Sequence, residues 1–303
     1  MSAALRIALF AALLAFAFGG AAVAGSVLDP DPDSKEEAHA VDGSGPGEDH
    51  GKTGSEMQAA DDAHSGGHES ASPPTGLALA DAGLHLEVAQ RRLAAGRRED
   101  FAFRILDAEG EAVRSFDVEH DRRMHLIVVR RDLTGFQHLH PEMAPDGTWS
   151  TSLQLGEPGS YRVFADFSSR GESHTLGGDV HVAGRFEPLD LPHVSDTAVV
   201  DGGYEVRLAE DGDKLRFTVH ADGRRVDDVE PYLGARGHLV ALREGDLAFL
   251  HVHPESEATV GGDIRFRVEY PSAGRYRLFL QFKHDGRVRT AAFTREVGLE
   301  HGH

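Results

Sequence analysis

The stretch HLIVVRRDLTGFQHLHPE (125–142) returns as HLVALREGDLAFLHVHPE (238–255), and this recurrence decides how the chain is read. The segments agree at His, Leu, Arg, Phe, His, His, Pro and Glu. The overlay runs without a gap from 102–142 onto 215–255, with LDAEGEAV (106–113) over VHADGRRV (219–226). Downstream, PGSYRVFADF (158–167) corresponds to SAGRYRLFLQF (272–282) after a small change in length. A duplication of this extent implies two copies of one domain.

Short alternating runs fill each copy, among them LHLEVAQ, FAFRIL, MHLIVVR, YRVFADF and DVHVAG, separated by turn signals such as AEG, PDG and EPG. No long 3.6-residue stripe accompanies them, so the expected fold is all-β. Regular short strands with Gly and Pro turns predict two tandem immunoglobulin-like (cupredoxin-like) β-sandwich repeats, at 76–184 and 200–298, joined by a linker over 185–199. Tyr161 and Tyr276 follow Gly-x at the opening of a late strand, as is common in such sandwiches.

The flanking segments differ in composition. MSAALRIALFAALLAFAFGGAAVAGS carries one positive charge, an apolar run and small residues ending at Ala24. That layout predicts a secretory signal peptide over 1–24 and a secreted or cell-envelope location; an uncleaved anchor is the competing reading. Residues 25–75 are acidic and almost devoid of large apolar side chains, which predicts a disordered linker. His39, His50, His64 and His68 sit in it, as solvated polar residues or as a loose metal-scavenging tail. Residues 299–303 are expected to be a flexible tail. The chain has no cysteine, so disulfides and thiolate ligands are excluded. Its formal charge of −19 argues against nucleic acid as a partner.

The histidines carry the candidate chemistry. Glu244-Gly245 suits a two-residue hairpin loop, and pairing Arg243 with Asp246 sets His238 opposite His251, with His253 on the same face. The overlay puts His125, His138 and His140 in the same relation. Three imidazoles on one patch can hold a copper or zinc ion, so one metal site per repeat is expected. Glu142 and Glu255 follow as oxygen ligands or as partners of an imidazole. Met124 and Met143 flank the first cluster, and thioether sulfur favours copper over zinc. His174, His181 and His284 lie beyond the late strands. The competing reading makes the histidines structural, bonded to carbonyls at strand ends.

No Gly-x-Ser-x-Gly, P-loop or GxGxxG before a helix occurs, and the His-x-His-Pro-Glu spacing does not match a cupin, so no enzymatic activity is expected. The two-copy layout, with TLGGDV (175–180) after the first late strand, resembles a group of duplicated exported bacterial β-sandwich proteins of unassigned activity. A looser similarity runs to extracytoplasmic metal-handling domains of the YtkA-like and cupredoxin-like kinds. The resemblance implies export and a repeated sandwich, and without a Cys ligand it supports no blue-copper site. The expected function is an exported copper- or zinc-binding buffer or carrier. The alternative is a cell-envelope module that recognises a protein or glycan partner.

Overall fold

The computed structural model describes residues 74–250, 252–255 and 262–298. The expected signal peptide and the acidic linker up to residue 73 lie outside them. Both repeats belong to one compact unit. Among the described residues every regular element is a strand.

Repeat 1 comprises β1 (Ala80–Asp81), β2 (Leu84–Val88), β3 (Arg92–Leu93), β4 (Arg98–Leu106), β5 (His125–Arg130), β6 (Gln137–Leu139), β7 (Glu142–Met143), β8 (Trp149–Gln154), β9 (Gly159–Ser169) and β10 (Glu172–Val182). Repeat 2 comprises β11 (Thr197–Val200), β12 (Tyr204–Asp211), β13 (Lys214–Ala221), β14 (Arg224–Arg225), β15 (Gly237–Arg243), β16 (Phe249–Leu250), β17 (Val252–Pro254), β18 (Ile264–Val268), β19 (Gly274–His284) and β20 (Arg287–Val297). Each repeat is a sandwich of two sheets. The orders are β1-β2-β4-β8-β7 and β3-β10-β9-β5-β6 in repeat 1, and β11-β12-β13-β18-β17 and β16-β15-β19-β20 in repeat 2.

Alternation builds each interior. Phe101, Phe103 and Ile105 of β4 point inward against Leu126, Val128 and Trp149, while Leu215, Phe217 and Val219 of β13 meet Leu239, Ala241 and Leu278. Tyr161 and Tyr276 reach back four residues, their hydroxyls donating to Glu157 O and Ser272 O at 2.8 and 2.7 Å. These matched corners mark the immunoglobulin-like architecture.

The gapless overlay conceals compensating shifts. Val113 bonds Ile105 and Val226 bonds Val219, so the β4 turn is one residue longer than its counterpart and the strands match at an offset of 114. The β5–β6 loop pairs Arg130 with Asp132, whereas the β15–β16 loop pairs Arg243 with Asp246. Gly135 restores the count, and both hairpins then share one register, with Leu126 opposite Leu139 and Ala241 opposite Leu250. The expected two-residue loop at Glu244-Gly245 is corrected: Arg243 N–H bonds Ala248 O, which opens the loop and moves the register by two residues. A two-residue slip keeps every side chain on its own face.

β5 and β15 are buried on both faces. Leu126 and Val128 enter the repeat-1 core, while Ile127 and Val129 join Leu133, Phe164, Val240, Leu242, Leu247, Phe249 and Phe279 in a third core between the repeats. This seam has pseudo-two-fold symmetry. The hairpin ring Phe136 stacks on Phe279 at 4.1 Å, and its counterpart Phe249 meets Phe164, the counterpart of Phe279, at 5.4 Å. Thr75 straps the seam by pairing with Phe249 of repeat 2. Gly76 follows with φ +71°, and a Cβ there would come within 2.7 Å of the Phe164 ring.

Candidate metal centre

The seam that is apolar along Val129 and Leu242 becomes imidazole-lined at the other end of β5 and β15. His125 and Ile127 share a face, as do His238 and Val240, so each histidine extends the row of its apolar neighbours. β6 adds His138, which lies opposite Ile127 in the register. His125, His138 and His238 each offer a ring nitrogen within 4.8 Å of the others. The His238 ring stacks near His138 at 4.6 Å and near His125 at 5.5 Å, the latter pair tilted by only 6°. His140 completes the near edge, 4.7 Å from His138 and 5.2 Å from His125 between centroids. His120 stands in a left-handed turn (φ 50°), its ring 5.8 Å from that of His238.

Hydrogen bonds orient two of the rings. His125 Nε2 faces Glu119 O at 3.2 Å, and His138 Nδ1 faces Gln281 Oε1 at 2.6 Å. Each outer nitrogen must carry the proton to bond an oxygen. The inner nitrogens, His125 Nδ1 and His138 Nε2, face each other at 3.0 Å. Three contacts need three protons, and two neutral rings hold two. A charged ring is disfavoured, because burial holds His125 at about 4 and His138 well below the usual imidazole range, with neighbouring imidazoles adding to the effect. Burial likewise depresses His140 to about 4 and His238 well below 6.5. Rotating the Gln281 amide to present its nitrogen also balances the count, as does a cation between the inner nitrogens.

Asp166 adds a carboxylate. It lies directly opposite His125 in the β5–β9 pairing, and its Oδ1 accepts from Thr175 Oγ1 at 2.7 Å. Burial pushes its carboxyl up to about 6 against the lowering effect of the Thr175 bond. With Glu119, His120, His125 and His238 it lines a cavity of about 20 Å³, room for one water-sized occupant. Gln281 takes the corresponding place opposite His238 in repeat 2.

The expected ligands are therefore redistributed. His125, His138 and His140 come together, and His238 joins them from the other repeat. The described residues hold one such group, and it spans the seam. His251 lies outside the described residues. The backbone of His253 runs in β17 opposite Arg267, in the sheet that does not contain β15. Met124 points into the repeat-1 core, 1% exposed among Phe and Leu side chains, and Met143 packs against that core, so neither thioether flanks the imidazoles. Glu142 is exposed in the sheet across the sandwich, and Glu255 lines a surface cleft with Arg265 and Arg267. His181 bonds Ser160 and His284 bonds Tyr204, apart from the cluster.

His120, Asp166 and Gln281 escaped the sequence reading. Asp and Gln at one station of YRVFADF and YRLFLQF, each flanked by apolar residues, are the signal that points to the last two.

No curated protein matches the chain. Among solved structures, the Escherichia coli adhesin FdeC aligns at 15% identity and a TM-score of 0.26, over 73% of this chain and 66% of that one. A Salmonella alpha-2-macroglobulin aligns at 14% and 0.26, over 74% and 15%. The S-layer protein SbsC, domains 5–6, aligns at 11% and 0.21, over 71% and 95%. The chain thus spans less than two thirds of the adhesin and a small part of the macroglobulin. The family model that matches does so twice, at 79–184 and 198–298, and the chain belongs to that family, described as a domain of unknown function, DUF8832.

Proposed function

We propose that the chain binds one transition-metal ion between its two repeats and serves as an extracytoplasmic buffer or carrier without turnover. The observation that carries this reading is the facing pair His125 Nδ1 and His138 Nε2, 3.0 Å apart, each ring fixed from behind by a carbonyl oxygen. Metal-bound histidines usually donate their outer N–H to such an oxygen, which fixes the tautomer and leaves the inner lone pair free. Two nitrogens on a tetrahedral Zn²⁺ stand ~3.3 Å apart at bond lengths of ~2.0 Å, so a small opening of the pair admits the ion. His238 supplies a third nitrogen, and Asp166 or His140 is at hand as a fourth donor. Imidazole with carboxylate suits Zn²⁺ and Cu²⁺. The preference for copper rested on Met124 and Met143, and their packing in and against the repeat-1 core removes that support. Export is carried by the first 24 residues alone.

Calorimetry on the full chain tests the reading, with Zn²⁺ and Cu²⁺ titrated into the parent, His138→Ala and His238→Ala. Histidines outside the cluster are common to all three and cancel in the comparison. One tight ion per chain, lost in both variants, is the expected result. Identical isotherms in all three would make these histidines structural, and a cell-envelope module recognising a protein or glycan becomes the better reading.

A further inference from the structure

The imidazoles of this site do not belong to one domain. His125 and His138 are carried by repeat 1 and His238 by repeat 2, and the amide that holds His138 from behind is Gln281 of repeat 2. Neither repeat alone offers the three nitrogens. Beside the cluster lie the Thr75–Phe249 strap and an apolar seam, Ile127, Val129 and Phe164 against Val240, Leu242 and Phe279, with no side chain of either sandwich core in that seam.

We infer, building on the metal-binding reading, that the ion is a fastener between the repeats, so that occupancy of the imidazole cluster and docking of repeat 1 on repeat 2 are thermodynamically linked. An ion that needs donors from both bodies binds only the docked arrangement. It therefore stabilises docking by the free energy of its own binding, and anything that separates the repeats weakens it by the same factor. If docking falls to one molecule in ten, the apparent dissociation constant rises about tenfold. The linkage gives the site a readout beyond storage: metal supply sets whether the two sandwiches form one rigid body or two tethered ones.

The test uses Leu242→Arg with Phe279→Arg in the full chain, which carries two cations into the seam and leaves both sandwich cores intact. The chain has no cysteine, so Val118→Cys in repeat 1 and Val288→Cys in repeat 2, both exposed, accept spin labels uniquely. Zinc affinity and the inter-label distance distribution are then measured in parent and double variant. Val206→Ala, inside the repeat-2 core, is the control for general destabilisation. The expected result is a broad distribution in the double variant, zinc affinity about tenfold or more below the parent's, and narrowing at saturating zinc; Val206→Ala keeps parental affinity. A broad distribution with unchanged zinc affinity overturns the linkage and leaves metal binding standing. A distribution as narrow as the parent's, without zinc, overturns it too, because the seam is then not what docks the repeats. Failure of the parent to bind zinc removes the metal reading itself.

Discussion

Repeat 1 and repeat 2 share a hairpin register and a tyrosine corner, yet they differ at the two stations that matter most. Where the first has Asp166 opposite His125, the second has Gln281 opposite His238. Where the first buries its loop ion pair almost completely, with Arg130 and Asp132 at 6% and 3% exposure, the second leaves Arg243 and Asp246 at 18% and 41%. Duplication preserved the scaffold, and at these two stations the copies diverged in charged and polar groups.

The largest expected effect exploits the ion pairs. Arg130→Ala strands a buried carboxylate that accepts from Arg130, Thr134 and the Leu189 N–H, and stability should fall by about 3–5 kcal/mol. Arg243→Ala exposes Asp246 to water and should cost about 1 kcal/mol. Urea unfolding of the two variants measures the contrast, and equal losses would break it. Burial alone would raise the Asp132 carboxyl, but the bonds from Arg130, Leu189 and Thr134 outweigh it and hold it at about 2. Its contribution is therefore present above the unfolded value near 3.8 and is lost as pH falls toward 2.

The next effect concerns the metal-free chain. His125 titrates at about 4 when folded against 6.5 unfolded, so its stabilisation is complete above pH 6.5 and is withdrawn as pH falls toward 4. At pH 5 that amounts to about 2 kcal/mol from this ring. His138, His140 and His238 act in the same direction. Asp166 acts in the opposite one, since a carboxyl raised to about 6 gains stability as pH drops through 6 toward 3.8. Four imidazoles outweigh one carboxyl, and the urea midpoint of the metal-free chain should be lower at pH 5 than at pH 7. A midpoint unchanged over that range would show the rings are not buried in their neutral form.

Smaller effects separate support from bystander. Gln281→Ala removes the oxygen behind His138 and should weaken zinc binding about 10–100-fold without abolishing it, as titration calorimetry can show. Met124→Leu should leave zinc and copper affinity unchanged and alter stability by less than about 1.5 kcal/mol, because Met124 only fills the repeat-1 core. A selective loss of copper affinity there would return the thioether to the site.

The repeated sandwich was legible because its signals are local: alternation in FAFRIL, turn residues between runs, Gly-x-Tyr at the late strand. The face carrying the histidines was legible too, since strand parity survives a two-residue error in register. What the sequence hid is the seam. HLIVVR and HLVALR are apolar on both faces, which marks strands covered on both sides. Read within one repeat, that leaves no way to know that the outer cover is the other copy. For this reason nothing in the sequence could set His238 beside His125 and His138. His120 was invisible for another: it enters the cluster from a left-handed turn with no strand periodicity.

The pseudo-two-fold through the seam has one last consequence. In a dimer of identical chains, a cluster on the symmetry axis can offer donors only in matched pairs. Covalent tandem copies are free of that constraint. A carboxylate can be changed at one station while its mate becomes an amide, so an odd, unsymmetrical set of donors can be shaped one residue at a time in a cradle that is still nearly symmetric.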